Sequence, residues 1–167
     1  MIRTTEEGEG SLQQFILSAK MGNETSKEDK RSNPDFMKQV SKMMLLDMLV
    51  NNYDRHDGNY LVDKDGRLYA IDNGYTFGKG GGMPVYMYGV NMEASSLTYD
   101  DESVTKIQEF SKDKDKKKAL YDLLRELLGE KEVKLFFKRL ELIAKNIVDG
   151  RISPLKIDQI YNELQSF

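Results

Sequence analysis

The sequence lacks cysteine altogether and has a single histidine among its 167 residues. Without cysteine the chain has no disulfide framework, no thiolate nucleophile and no cysteine-ligated zinc, and one histidine excludes a site built from several imidazoles. No apolar run approaches the ~18 residues of a membrane-spanning helix, so we expect no transmembrane segment. The first ten residues, MIRTTEEGEG, are polar and acidic, which predicts no secretory signal. We therefore expect a protein of the cytoplasm, or an effector that acts in the cytosol of a host.

A strong charge of one sign is also missing. The formal net charge is −3, with 32% charged and 39% hydrophobic residues, and the isoelectric point is about 5.3. The chain as a whole therefore lacks the positive charge that is typical of a nucleic-acid-binding protein. The apolar content and the length predict one folded domain over residues 1–167.

The first half of the chain predicts a lead-in, a buried helix and a hairpin. Residues 1–35 read as a partly flexible lead-in, with a strand remnant at Arg3–Thr5 and an exposed loop over 20–35. Residues 36–52 place apolar side chains at helical spacing, with Asn33-Pro34-Asp35 as the start signal. Two short β-type runs within 60–71 flank an Asp-Gly turn and predict a β-hairpin.

The second half predicts a long loop and then helices. Residues 79–100 are expected to form an activation-like loop, and residues 101–167 a helical subdomain. Its helices are predicted over 101–111, 116–130 and 131–150, with Gly129 and Gly150 as stop signals, and a last helix begins at Pro154. The predicted fold class is therefore mainly α with a small β-hairpin (α+β).

The densest chemistry lies in NNYDRHDGNYLVDKDGRLYAIDNG (51–74). A loop after the buried helix carries Asp54 and Asn59, and the hairpin then returns the chain so that Asp72 comes close to Asn59. Carboxylate and amide oxygens suit Mg²⁺ or Mn²⁺, which leave their other positions to water and phosphate. A further carboxylate beside them can accept a proton from a hydroxyl nucleophile. Phosphoryl transfer needs this set of groups.

The spacing of these residues resembles a kinase active site. Asn59 follows Asp54 by five positions, as in the D-x-x-x-x-N of a kinase catalytic loop. The order Asp-Arg-His, followed by Ile-Asp-Asn-Gly one hairpin later, is similar to atypical kinases of the phosphatidylinositol 3-/4-kinase-like and HipA-like group. The resemblance covers about 40 residues, Lys38 to Phe77, and implies a protein-kinase-like C-terminal lobe that uses ATP and Mg²⁺ or Mn²⁺.

The resemblance also implies a role for each residue of the motif. Asp54 would be the catalytic-loop carboxylate, and Asn59 and Asp72 would bind the metal ions and, through them, the nucleotide phosphates. His56 would assist the transfer. Arg55 belongs to the same catalytic set and would hold the loop by ion pairing. Residues 36–78 would thus contain the catalytic helix, the catalytic loop and the metal-binding hairpin.

The glycine-rich loop and the strand lysine of a kinase N-lobe have no counterpart before residue 36. We therefore expect the C-lobe or a truncated form, with the N-lobe missing or supplied by a separate chain or segment. Lys79 is the one basic residue between 75 and 100, which favours a protein or small-molecule hydroxyl over a phosphorylated lipid as the acceptor. Two alternatives stay open: a non-catalytic, pseudokinase-like binding module, and a nucleotidyl transferase on the same scaffold.

Overall fold

The computed structural model describes residues 2–5, 8–11, 16–26, 33–77, 99, 101–148, 150, 160 and 162–164. The described strands are β1 (Ile2–Thr5), β2 (Gly8–Ser11), β3 (Lys20–Met21), β4 (Tyr60–Val62) and β5 (Leu68–Ala70), and the described α-helices are α1 (Pro34–Val50), α2 (Asp101–Lys112), α3 (Lys114–Leu127) and α4 (Glu130–Asn146). The fold is mainly helical with a small antiparallel sheet, so the predicted fold class is confirmed. No helix in these ranges is long and apolar enough to cross a membrane.

Helix α1 begins and ends as its sequence predicts. The Asn33 side chain caps it by accepting hydrogen bonds from the backbone N–H groups of Asp35 (3.0 Å) and Phe36 (3.2 Å), and Pro34 occupies the first turn. Asn51 closes the helix in the left-handed conformation, with φ of 54°. The apolar side chains of its buried face are Phe36, Val40, Met43, Met44, Leu45 and Met48.

The predicted hairpin is confirmed and extended by a third strand. Strands β4 and β5 pair antiparallel, with Tyr60 opposite Ala70, and β3 pairs with β4 on the other side. A 3₁₀ turn at Gly22–Glu24 follows β3. The loop prediction for 20–35 is therefore wrong at its start, because Lys20 and Met21 find backbone partners in a strand that lies about forty residues later.

The first two strands form a separate ladder. Strand β1 pairs antiparallel with β2, from Ile2 opposite Ser11 to Thr5 opposite Gly8, which confirms the strand predicted at Arg3–Thr5. Between the two sheets, Ile16–Ala19 form a single turn, in which the backbone N–H of Ala19 donates to the carbonyl oxygen of Ile16 (3.3 Å).

Helix α1 lies between the sheet and helix α4, so the core has two parts. One part packs α1 against the sheet and comprises Phe36, Val40, Met43, Met44, Tyr60 and Val62. The other packs α1 against α4 and its surroundings and comprises Leu45, Met48, Tyr99, Leu142, Ile143, Ile147 and Ile160. Both clusters use one helix, so α1 positions the loop that follows it relative to both halves of the molecule.

The predicted helical segments are confirmed, and two predicted stop signals are wrong. Helix α3 ends at Leu127, and Gly129 serves instead as the N-cap of α4. Helix α4 ends at Asn146, while Gly150 adopts a φ of 69° and accepts a hydrogen bond from the backbone N–H of Tyr99 (2.7 Å). The helix predicted from Pro154 and the loop over 79–100 lie mostly outside the described residues.

Candidate active site

The hairpin joins the two segments that carry the predicted site residues. The first segment runs from the end of α1 to β4, and the second follows β5. The ladder continues one residue past the strands, where the backbone N–H of Ile71 donates to the carbonyl oxygen of Asn59 (3.1 Å). Asn59 and the residue next to Asp72 are therefore bonded backbone to backbone, as the hairpin argument predicts.

Asp54 and Asn59 contact each other directly. The Asn59 Nδ2 donates to the Asp54 carbonyl oxygen (2.8 Å) and, at 3.4 Å, to the Asp54 carboxylate. The backbone N–H of Asp54 donates in turn to Oδ1 of Asn52 (3.2 Å), a fully buried residue. These bonds commit the amide nitrogen of Asn59 to the loop and assign its Oδ1 as the atom that remains for a ligand.

Asp72 projects from a strained backbone position. Its φ is 50°, in the left-handed region, and its side chain is exposed. Within the described residues no donor bonds its carboxylate, whereas its neighbours on both sides are fixed by bonds to Arg55. The carboxylate therefore faces outward on a fixed backbone, which suits a residue that binds something other than the protein.

Arg55 is buried, and all of its donors are used. Its Nε and Nη2 bond the two carboxylate oxygens of Asp47 at 3.0 and 3.1 Å. Its Nη1 donates to the carbonyl oxygens of Asn59 (2.5 Å) and Ile71 (2.6 Å), and Nη2 also donates to Oδ1 of Asn73. A guanidinium has five N–H groups, and each one here has a partner. Arg55 therefore has no donor left for a phosphate.

His56 lies in the loop, half-buried. Its Nδ1 accepts a hydrogen bond from the backbone N–H of Gly58 (3.0 Å). In the neutral ring this acceptor role places the proton on Nε2. The loop therefore presents Nε2–H as a donor.

Aromatic contacts hold the segment after Asp72. The rings of Tyr53 and Tyr75 meet edge to face at 5.3 Å, so the residue before Asp54 contacts the segment that follows Asp72. The backbone N–H of Phe77 donates to the carbonyl oxygen of Val50 (2.6 Å). The centroid of its ring lies 5.8 Å from that of Phe136 on α4. The two segments of the site are thus joined to each other and to the helical subdomain.

Tyr60 forms the floor of the loop and was not singled out by sequence. Its side chain is fully buried, and its hydroxyl donates to the Asp57 carboxylate (3.0 Å). Burial, and then the charge of Asp57, raise the pKa of Tyr60 well above its ordinary value. Tyr60 lies on strand β4, whose other residues are apolar, and this tyrosine was the signal in the sequence that could have identified it.

Asp47 is a second residue that sequence reasoning missed. It lies 1% exposed on α1, where it bonds Arg55 and Asn52. An acidic residue within the apolar run MMLLDMLV is unusual, because a buried charge requires a partner. That run was the signal that could have identified it.

The oxygen donors fit a metal that is shared with phosphate. Within the described ranges, no group of three or more His, Cys, Asp or Glu is placed to hold a metal ion alone. The exposed carboxylate of Asp72 and the Oδ1 of Asn59 are the hard ligands that Mg²⁺ accepts when phosphate and water complete its shell. The donor chemistry therefore suits a nucleotide-bound metal better than an ion held by protein alone.

Comparisons with known proteins identify a family and relatives that match part of this chain. The family described as phosphatidylinositol 3- and 4-kinase matches residues 3–88, just over half of the chain. Phosphatidylinositol 4-kinase gamma 4 of Oryza sativa subsp. japonica is 37% identical over 79 residues, covering 45% of this chain and 14% of that protein. Phosphatidylinositol 4-kinase gamma 3 of Arabidopsis thaliana is 41% identical over 73 residues, covering 41% of this chain and 12% of that protein. The chain thus spans a small part of the relatives that it matches.

Proposed function

Because the chain belongs to the phosphatidylinositol 3- and 4-kinase family, we propose that it supplies the catalytic loop and metal-binding loop for transfer of the γ-phosphate of ATP to a hydroxyl group. Family membership supports a kinase-type phosphotransferase in general. The proposed transfer from ATP to a hydroxyl rests on the contact between Asp54 and Asn59. Asp72 lies next to Ile71, whose backbone N–H bonds Asn59. The resemblance to HipA-like kinases stays a prediction.

In this proposal Asp54 orients the acceptor hydroxyl and takes its proton. The hydroxyl oxygen then bonds to the γ-phosphorus, the bond from that phosphorus to the β,γ-bridging oxygen breaks, and ADP leaves. Asn59 and Asp72 would hold the metal, which would neutralise charge on the phosphates. His56 offers its Nε2–H to a phosphoryl oxygen. Arg55 orders the loop and does not touch the substrate.

The proposed acceptor is a protein or small-molecule hydroxyl. Recognition of a phosphorylated headgroup needs cations, and Lys79 is the one basic residue between 75 and 100. Lys79 itself lies outside the described residues. Because the relatives are named as phosphatidylinositol kinases, phosphatidylinositol is the lipid to compare with protein and small-molecule acceptors. Efficient phosphorylation of a phosphorylated lipid that survives Lys79→Ala would contradict the proposed acceptor.

A kinase site also needs a lysine and a glycine-rich loop over the phosphates. We propose that a segment or chain other than the C-lobe supplies them, in keeping with the small share of each relative that is matched. The non-catalytic module and the nucleotidyl transferase are not favoured by any feature of the site. The group transferred from γ- or α-labelled ATP distinguishes the kinase from the nucleotidyl transferase.

The first experiment is calorimetric titration of ATP with and without Mg²⁺ or Mn²⁺. We expect binding that requires the metal and is lost in Asp72→Ala. Asp63→Asn is the matched control, because Asp63 is a carboxylate of the same hairpin whose oxygens are bonded within the turn. Nucleotide binding that needs no metal, or that survives Asp72→Ala, contradicts the proposal.

A further inference from the structure

Asp47 is a buried carboxylate on helix α1, whose other buried side chains, apart from Ser41, are apolar. Its side chain is 1% exposed, and Leu45 and Met48 nearby belong to the core. Two partners compensate its charge: Arg55 bonds both carboxylate oxygens, and Nδ2 of Asn52 donates to Oδ1 (3.2 Å). Both partners come from the loop that follows α1, so Asp47 ties the catalytic loop to the helix.

The two bonds from Asp47 fix the plane of the Arg55 guanidinium. Because that group is planar and rigid, fixing two of its N–H groups also determines where the other three point. They point to the carbonyl oxygens of Asn59 and Ile71 and to Oδ1 of Asn73. One charged pair therefore connects helix α1, the end of the catalytic loop and the strand exit.

The strand exit is the place where Asp72 adopts its left-handed conformation, with φ of 50°. Such a conformation in a residue other than glycine persists only where the surroundings determine it. Here the residues on both sides, Ile71 and Asn73, are bonded to Arg55, whereas the Asp72 carboxylate has no donor among the described residues. The direction of that carboxylate is thus set by its backbone.

We propose that Asp47 is a positioning residue for Asp72, acting through Arg55, which holds the Ile71–Asn73 backbone in the conformation that presents the Asp72 carboxylate to a metal–nucleotide ligand. The inference rests on the proposed function for the identity of that ligand. Residues that orient metal ligands from behind typically affect metal affinity 10–100-fold when they are changed.

The test compares three variants of the whole chain with the wild type. Asn73→Ala removes one acceptor of Arg55, Asp47→Asn removes the charge that orients it, and Asp63→Asn changes a hairpin carboxylate that is not connected to Arg55. Electron paramagnetic resonance measures free Mn²⁺ in the presence of ATP, and thermal unfolding is recorded in parallel. We expect Mn²⁺ binding to weaken about tenfold or more in Asn73→Ala and Asp47→Asn, and to stay unchanged in Asp63→Asn.

Because Asn73 is exposed, its variant is expected to fold even if Asp47→Asn does not, and the inference can then still be tested. Asp47→Asn leaves a buried guanidinium without its counter-charge, and that variant can fail to fold. Asn73→Ala deletes one of the five acceptors of Arg55 and leaves Asp47 and the two carbonyl oxygens in place, so a modest fall in unfolding temperature is expected with the fold intact. If folded Asn73→Ala binds Mn²⁺ as the wild type does, the inference is overturned while the proposed function stands.

A second readout separates the inference from the proposed function. If wild-type Mn²⁺ binding does not depend on Asp72, the proposed function fails, and amide hydrogen exchange by nuclear magnetic resonance then decides the inference. The Ile71 amide, which bonds Asn59, is expected to exchange faster in Asn73→Ala than in the wild type. Exchange equal to that of the wild type would refute the positioning role.

Discussion

Gly22 marks a position where the chain passes too close to the loop that follows α1 for any side chain. A Cβ atom there would lie 2.3 Å from Cζ of the buried Tyr60 and 2.6 Å from the carbonyl oxygen of Asp57. The next residue, Asn23, donates its backbone N–H to that same oxygen (3.1 Å). The lead-in segment thus contacts the loop through backbone and ring atoms, and the contact depends on the missing side chain.

We predict that Gly22→Ala destabilises the protein by about 1–3 kcal/mol, because the added methyl must displace a buried ring or backbone. Gly74→Ala is the control, since the nearest atom to its Cβ is 3.6 Å away and the expected change is within about 0.5 kcal/mol. Urea unfolding measures both. Equal stability of the two variants would show that the lead-in does not pack on Tyr60.

At the scale of elements, Gln39 connects α1 to the hairpin. Its Nε2 donates to the carbonyl oxygen of Gly66 (3.1 Å), and its Oε1 accepts from the backbone N–H of Leu68 (2.8 Å). One side chain therefore satisfies the backbone on both sides of Arg67 at the end of the turn. Because α1 also carries Asp47, this contact helps to fix the sheet relative to the catalytic loop.

Gln39→Ala is expected to lower the free energy of unfolding by about 1–3 kcal/mol, because it leaves the half-buried N–H of Leu68 without its acceptor. Lys38→Ala, at the exposed neighbouring position, should change it by about 0.5 kcal/mol or less. Chemical unfolding monitored by circular dichroism tests the pair. A loss in Gln39→Ala no larger than in Lys38→Ala would argue against the cross-link.

The hairpin turn has its own dependence on pH. The backbone N–H of Arg67, and then the hydroxyl of Tyr69, hold the pKa of Asp63 below its ordinary value. A lowered folded-state pKa gives stability that is present above the ordinary pKa of ~3.9 and is lost as pH falls through the folded value.

The stability advantage of wild type over Asp63→Asn should therefore hold at pH 7 and shrink as the pH falls below about 4. Urea unfolding of both proteins between pH 7 and pH 3 measures the difference. A difference that stays constant across this range would mean that the turn does not depend on the charge of Asp63.

At the scale of the whole molecule, helix α4 holds the site from behind. Its Arg139 donates through Nε to the carbonyl oxygen of Leu49 at the end of α1 (2.9 Å), and Phe136 contacts Phe77 in the segment after β5. Ile143, 1% exposed, packs in the cluster that also contains Leu45 and Met48. The segments of the candidate site therefore depend on a helix about ninety residues further along the chain.

Ile143→Ala should lower the free energy of unfolding by about 2–5 kcal/mol, through lost burial and the cavity that remains. Lys145→Ala, exposed on the same helix, should have almost no effect. If Ile143→Ala and Lys145→Ala have the same free energy of unfolding, Ile143 does not pack between α4 and α1.

The sequence predicted the parts of this structure that depend on neighbours along the chain. The Asn33-Pro34 start of α1 and the Asp-Gly turn are local signals, and both are found. Pairing between distant segments carried no such signal, as with Lys20 opposite Val62. The motif spacing placed Asp54, Asn59 and Asp72 on adjacent segments.

What the motif could not predict was the structure behind it. The partner of Arg55 proved to be Asp47, eight residues earlier on a helix predicted only as apolar. Gly129 and Gly150 show what a local signal cannot predict. Each glycine lies near a helix boundary, but tertiary packing decides whether it begins a helix, as Gly129 does, or lies beyond its end, as Gly150 does.

On the proposed function, the saturation of Arg55 also affects how metal and nucleotide binding would be coupled. Because Asp47 cancels its charge within the fold, Arg55 does little to offset the negative potential of Asp54 and Asp72. A bare polyphosphate meets repulsion there, and a divalent cation converts that repulsion into attraction. By thermodynamic linkage, each of the two ligands must then raise the affinity for the other by the same factor. On the proposed function, the pair of Asp47 and Arg55 would thereby make the site selective for the metal–nucleotide complex over either component alone.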